Sequence, residues 1–436
     1  MKTCLFSTRC HRLLSATLFS LALCHPLRSE EVGFRHIVQL ALQHSGTAAI
    51  ASAEQVRAQK SLEEARNLFL PQVTLGSGLA YTYGFPLSIE GSAPAIVNVN
   101  SQQFLFNLAQ RDFIHAAERD LNASNFSAED KKNEVVLEAA LDYAELDAAT
   151  SMLTVLHDQE TAAVKAEQVT SQRVGEGVDN GVELTRARLS TAKTRASIAE
   201  MEGTAELLRT RLSQLTGLPA ASIVTSAESI PKFPPVSQQD DFAGHALALN
   251  PAVKQADESA AAKELRARGE HRNYPMIDLV AQYGLFSKAN NYDQYFVKFQ
   301  RNNALIGVDI RFPFLNFSQR SHAAAADAEA VIAKKQAEGV KNQVGNETLR
   351  LQRAVRQLTA QKEVARLQYE LARADVETAQ AHVQSGQASV KDEQAVLVSE
   401  QETYFAFLQA GFALDKAQME LLRQTNQLQG WALGSK

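Results

Sequence analysis

The residues able to do chemistry in this chain are few, and their spacing argues against catalysis. The ten histidines, His271 and His322 among them, are scattered without metal-ligand spacing or a partnered nucleophile, so no acid–base or hydrolytic constellation can be assembled from them. The three cysteines, Cys4, Cys10 and Cys24, cluster at the N-terminus and cannot form a disulfide framework or a metal site for the body of the chain. Gly76-Ser77-Gly78 has the look of a phosphate loop, but the reading around it is a strand with no helix following, which fits a close-packed sheet better. What remains is a pair of acids, Glu183 and Asp392, each six residues beyond a turn glycine, Gly177 and Gly386. No cofactor is expected. Acids just past a turn suit a solvated helix start, where the dipole favours negative charge.

The elements that would position these acids occur twice. Asn107-Leu108-Ala109-Gln110-Arg111 is answered by Asn316-Phe317-Ser318-Gln319-Arg320 about 209 positions on, and Val174, Gly177 and Glu183 fall on Val383, Gly386 and Asp392 at the same offset. Upstream, Leu70-Pro71 is answered by Tyr274-Pro275 at an offset of about 204. A repeat of this size is a duplicated structural unit.

Each unit reads as helix, two strands and a long helix pair. Residues 34–69 have helix composition, ended by Pro71. The period then becomes two. Val73, Leu75, Leu79, Tyr81 and Tyr83 share one face and Gln72, Thr74, Gly76 and Gly78 the other. In the second unit Ile277, Leu279, Ala281, Tyr283 and Leu285, and then Ile306, Val308, Ile310, Phe312 and Phe314, lie opposite Asp278, Gln282, Gly307, Asp309 and Arg311. Three charges on a dry sheet face would cost several kcal/mol apiece if unpaired, roughly 2–7 kcal/mol for even a neutral polar group, whereas a water-filled interior removes the cost. Segments of about ten residues with this alternation are the signature of a transmembrane β-barrel. The strand over 96–106 alternates less cleanly, because Ser101 and Gln103 fall on the apolar side.

The following helices, about 109–172 and 318–384, would each extend on the order of 100 Å at 1.5 Å per residue. On the last helix Phe407, Ala410, Leu414, Ala417 and Leu421 form one apolar seam and Phe405, Leu408, Phe412, Met419 and Leu422 another, which predicts packing against two neighbours. Proline-rich residues 217–241 read as a connector outside the helices, and the chain is expected to end soon after the last helix, at Trp431, without a further domain.

The N-terminus reads as an export signal over residues 1–29, with Lys2, Arg9 and Arg12 ahead of an apolar stretch from Leu13 to Leu23. Leu21-Ala22-Leu23-Cys24 loosely matches a lipoprotein box, making Cys24 a lipidation candidate, although Leu23 fits poorly before the cysteine. Removing the signal leaves 40 basic against 49 acidic residues, a net charge of −9. That balance, with no basic patch, disfavours nucleic acid as a partner. No run of about eighteen apolar residues follows the signal, so any membrane crossing must use strands.

With its duplication, its Asn250-Pro251 helix opening, its Leu70-Pro71 and Tyr274-Pro275 strand entries and its Gly177 and Gly386 turns, the mature chain resembles the TolC-like family of outer-membrane efflux and secretion channels. The resemblance implies a mixed α and β membrane protein: a homotrimer whose chains each give four strands to a twelve-stranded β-barrel in outer-membrane lipid, continued by a periplasmic α-helical barrel. It divides the chain into a signal peptide (1–29), a first efflux repeat (30–216), an equatorial connector (217–241), a second repeat (242–430) and a tail (431–436). It implies a passive conduit of a tripartite efflux or type I secretion system, partnered by a periplasmic adaptor and an inner-membrane pump. Glu183 and Asp392 then stand at the channel constriction, and Val174, Gly177, Val383 and Gly386 at the adaptor-docking turns. The chain departs from the family where an aromatic usually stands three residues before each turn glycine, where Leu315-Asn316-Phe317-Ser318 replaces a glycine-rich stretch, and where Ala395 replaces a second acid. The alternative is a periplasmic adaptor or coiled-coil scaffold, which would have the long helices without two aromatic-bearing strand pairs.

Overall fold

The computed structural model describes residues 33–78, 95–235, 241–272, 275–286, 300–312, 316–385, 387 and 390–434. The export signal with Cys24, the aromatic positions Tyr81, Tyr83 and Phe314, and the turn glycine Gly386 lie outside the described residues.

The duplication holds at the level of elements. The first unit runs α1 (Phe34–His44), α2 (Gly46–Asn67), β1 (Gln72–Gly76), β2 (Ala95–Phe106), α3 (Leu108–Gly175) and α4 (Gly181–Thr216). The second runs α5 (Phe242–Leu249), α6 (Pro251–His271), β3 (Met276–Phe286), β4 (Asn302–Arg311), α7 (Phe317–Gln384) and α8 (Val390–Gln424), and a short α9 (Leu428–Leu433) follows. Both α3 and α7 contain 68 residues. They also start in the same way. The side chain of Asn107 accepts the Gln110 N–H at 3.0 Å, and that of Asn316 accepts the Gln319 N–H at 3.0 Å, so each rod has an Asn N-cap that satisfies an otherwise orphaned donor. Asn250 caps α6 through the Ala252 N–H at 2.9 Å, with Pro251 in the first turn, where its missing N–H costs nothing.

Two expectations are corrected here. The stretch from 34 to 69 is broken at Ser45, whose ψ of 129° cannot continue a helix, so the first eleven residues become a separate element. The strand containing Gly76 ends there, and Ser77 and Gly78 lie past it rather than within it. Gly76 faces Asn98 across the strands, and a Cβ there would press on the end of the Asn98 side chain, which would have to turn aside for any larger residue.

The helices lie side by side in one layer. Towards the sheet the order is α2, α3, α6, α7, and away from it α4, α3, α8, α7. The double seam on α8 is as expected: Leu414, Ala417 and Leu421 pack on Leu351 and Val355 of α7, while Met419 and Leu422 join the main core with α3. Ion pairs join the sheet-proximal helices. Asp112 of α3 is held by Arg268 at 3.1 Å and Arg272 at 2.6 Å, and Arg119 donates to Glu258 at 3.0 Å. The otherwise unremarkable His271 reaches Asp327 of α7 at 2.7 Å, a structural contact between neighbouring helices.

The core is a hub midway along the rods. Phe34, fully buried, meets Tyr143 edge-on at 5.5 Å and Trp431 at 5.4 Å, and Trp431 stacks on Phe233 of the connector at 4.7 Å. The Tyr143 hydroxyl accepts the Ser226 N–H at 3.0 Å and lies 2.8 Å from Ser229 Oγ, which in turn accepts the Phe34 N–H at 3.1 Å. Burying a phenylalanine of this kind stabilises by about 2–3 kcal/mol. The connector is therefore pinned to the rods, and the segment expected as a tail from 431 contains the end of α9, with Ala432 fully buried, because Trp431 and its neighbours supply apolar area that the hub encloses.

Candidate functional site

Two places in this architecture could handle a passing solute: the faces of the sheet and the far ends of the rods. The sheet is antiparallel throughout, in the order β1-β2-β3-β4. Its register sorts side chains by rung. Leu75, Val99, Tyr283 and Ala304 share one rung; Val73, Ser101, Ala281 and Ile306 the next on that face; Leu279 and Val308, then Ile277 and Ile310, continue it. On the other face stand Gly76, Asn98, Gly284 and Asn303, then Thr74, Asn100, Gln282 and Leu305, then Gln72, Gln102, Val280 and Gly307. One face is apolar and the other mostly small and polar, as the alternation predicts. Ser101 and Gln103 are on the apolar face, again as predicted, and Gln103 is satisfied by donating to the Phe69 carbonyl at 2.9 Å at the strand's helix-proximal end.

Every charge on the four described strands falls in the last two rungs of the polar face. Asp278 faces Asp309 and Met276 faces Arg311. Arg311 binds Asp278, approaches Asp309 Oδ2 at 3.4 Å, and Gln102 donates to Asp278 Oδ2 at 2.9 Å. Asp278 is fully buried, so its charge is tolerated because of these partners.

At the rod ends, the turn from α3 to α4 closes on the Arg173 carbonyl, which accepts the Val178 N–H at 2.9 Å, with Gly177 at φ 75°. With the Gly177 N–H donating to the Val174 carbonyl at 3.1 Å, this is a Schellman helix stop. The second turn repeats the longer-range bond at the same offset, the His382 carbonyl accepting the Gln387 N–H at 2.8 Å. Val174 and Val383 lie in the last turns of α3 and α7. Beyond the first turn the Asn180 side chain accepts the N–H groups of Val182 at 2.8 Å and Glu183 at 3.3 Å, and the Glu183 carboxylate accepts from Arg186 at 2.9 Å. Glu183 is thus a helix-start acid with a cationic partner one turn on. Asp392 lies within the first turn of α8, and its side chain is outside the described residues.

Sequence reading missed the bidentate bond from Arg173 to Asp179, at 2.7 and 3.2 Å, which ties the end of α3 across its turn. An arginine and an aspartate flanking a glycine turn by six residues was the available signal. It missed Tyr143 as well, a phenol standing alone inside an apolar run. Among the described residues no acid, histidine or cysteine cluster suits a metal, and no helix is long and apolar enough to cross a membrane.

Residues 37–218 match the family model described as outer membrane efflux protein. No curated protein matches the chain. Among solved structures, the CmeC outer membrane channel of Campylobacter jejuni superposes with a TM-score of 0.76 at 16% identity, covering 91% of this chain and 86% of that one. The outer membrane protein VceC of Vibrio cholerae does so at 0.71 and 19%, covering 89% and 96%. CusC, described in terms of folding and transmembrane channel formation, gives 0.74 and 15%, covering 91% and 92%. At these identities the likeness establishes the fold, over nearly the full length of each chain.

Proposed function

We propose that this chain, which belongs to the outer membrane efflux protein family through residues 37–218, is an outer-membrane channel subunit with a helical extension into the periplasm. The family model reaches only the first unit, but α7 and α8 repeat α3 and α4 at a constant offset, so the second half is the same unit again.

The observation that carries the reading is the two-faced sheet. Four strands are too few to close around a lumen, and among the described residues β1 and β4 each have one unpaired edge. The helical layer below is open in the same sense: Ile50 of α2 and Leu189 of α4 are exposed on one flank, and Ile332 and Leu371 of α7 on the other. These are the two open edges of one layer, and a head-to-tail contact between them closes into a ring when each copy turns by a third of a circle. Three copies give twelve strands, with Val308 and Ile310 towards lipid and Gln282, Asp309 and Arg311 towards water. The conduit serves a tripartite efflux or type I secretion system, in which the turns at Val174, Gly177, Val383 and Gly386 meet a periplasmic adaptor joined to an inner-membrane pump, and Glu183 and Asp392 narrow the passage.

The test is assembly in detergent followed by reconstitution. Light scattering should give three times the mass of one mature chain, and planar bilayers should show discrete conductance steps. A stable folded monomer, or a trimer without conductance, would overturn the proposal.

A further inference from the structure

The duplicated hairpins, α3–α4 and α7–α8, match in length to within one residue but are joined by different chemistry. In the first, Glu160 accepts from Arg195 at 2.7 Å and Glu167 lies 3.5 Å from Arg188. Each pair is separated from the next by seven residues on both helices, so they are successive layers of one two-helix seam. The bond from Arg173 to Asp179 adds a third link at the turn. All three arginines are more than half exposed. Carried forward by 209 positions, Glu160 and Arg195 become Tyr369 and Tyr404, and Glu167 and Arg188 become Val376 and Leu397. Tyr369 and Tyr404 are in ring contact at 5.0 Å, and Phe407 stacks on Tyr369 at 6.3 Å, where the first unit has Ile198. Val376 is buried. The third link is lost too, since Arg173 and Asp179 become His382 and Ala388.

Exposed ion pairs weaken as salt shortens the screening length from about 10 Å at 0.1 M to about 3 Å at 1 M, whereas aromatic and aliphatic contacts keep their strength. We infer that the tip half of the α3–α4 hairpin, over 155–200, responds to ionic strength and that its counterpart over 364–409 responds far less, so that rising salt loosens one half of the rod end and leaves the other packed. The two hairpins of one chain thereby acquire different mechanical roles. The inference rests on hairpin geometry and does not depend on the chain being a channel.

The experiment is hydrogen–deuterium exchange on the full mature chain in detergent, at about 0.05 and 0.5 M NaCl. Amides over 155–200 should exchange about threefold faster at the higher salt, as expected from losing two or three exposed pairs, while those over 364–409 should hold their rate. The transplant E160Y/R195Y, which copies the second unit into the first, should abolish most of the salt response of 155–200. Should that variant fold poorly, E160R alone should raise exchange at low salt and E160R/R195E should restore it. An equal response in both hairpins, a salt response that survives the transplant, or no recovery on charge reversal would each overturn the inference.

Discussion

Asp278 and Asp309 stand directly opposite one another across β3 and β4, and Arg311 binds both. Facing like charges destabilise a strand pair, and here one carboxylate is also fully buried. The arginine is therefore a condition of the pairing. Replacing Arg311 with methionine leaves an uncompensated buried charge, with an expected loss of about 3 kcal/mol. The heat-dissociation midpoint of the detergent-extracted assembly should fall, and Asp278→Asn with Asp309→Asn in the same background should recover most of it. A neutral outcome for Arg311→Met would mean that water or another strand satisfies Asp278.

The apolar face of the sheet, proposed to meet lipid, makes a second prediction. Val308 and Ile310 share a face with Leu279 and Ile277, and Gly307 lies on the other with open space where a side chain would grow. A lysine at 308 or 310 should cost about 2–4 kcal/mol near the bilayer midplane. Gly307→Lys should be tolerated. The yield of heat-resistant assembly in the outer-membrane fraction reports the difference, and equal losses at all three positions would reverse the assignment of inside and outside.

Local signals were the legible ones. The constant offset of 209 located both rods to within three residues because Asn caps and glycine turns act over one helical turn, and the alternation in β3 and β4 revealed the two faces because strand geometry has period two. The double seam of α8 could be read for the same reason. The break at Ser45 was missed, since a lone Ser45-Gly46 step is its only local sign in a stretch of otherwise helix-favouring residues. Tyr143, Ser229, Phe34 and Trp431 come from four distant segments, and no short-range pattern encodes their meeting. The tip acids were legible as a pair and not as a site, because their proximity would depend on neighbouring copies.

Asp142 offers a pH test away from the membrane. It is buried on α3, its nearest cation is Arg211 at 4.0 Å, and burial pushes its carboxyl up to about 6, with Glu138 and Glu145 adding to the effect against Arg211. Between the ordinary carboxylate range near pH 4 and about 6, the folded chain holds a proton there that the unfolded chain has released. The stability contributed by this group therefore falls as pH rises through that window, and above it the folded state carries a buried charge. Asp142→Asn should stabilise the folded chain at pH 7.5 by on the order of 1–2 kcal/mol, seen as a higher unfolding midpoint, with the gain vanishing below about pH 4. The second unit has buried Leu351 at the equivalent place. A gain that does not change between pH 4 and 7.5 would show that the asparagine acts through packing and not through charge.

The last prediction concerns the ends of the rods. Glu183 is bonded to Arg186 and sits one turn beyond the Asn180 cap, so in a single chain it behaves as a helix-start acid. In a ring of three, that side chain and Asp392 would be presented six times around the narrow end, and the arginine partner would decide how much of the charge is felt. Replacing Glu183 and Asp392 together with alanine should then reduce cation preference in planar bilayers or raise conductance as the closed end loosens, while Arg186→Gln, which removes the cation that Glu183 accepts from, should strengthen cation preference. These opposite signs separate a constriction from a solvated helix start. Cysteine at 183 or 392 adds a measure of width, since small thiol reagents should react faster than bulky ones where the passage is narrow, and the chain has no cysteine after Cys24 to confuse the labelling. Unchanged selectivity in both variants, with fast labelling by bulky reagents, would place the narrowest point of the passage elsewhere.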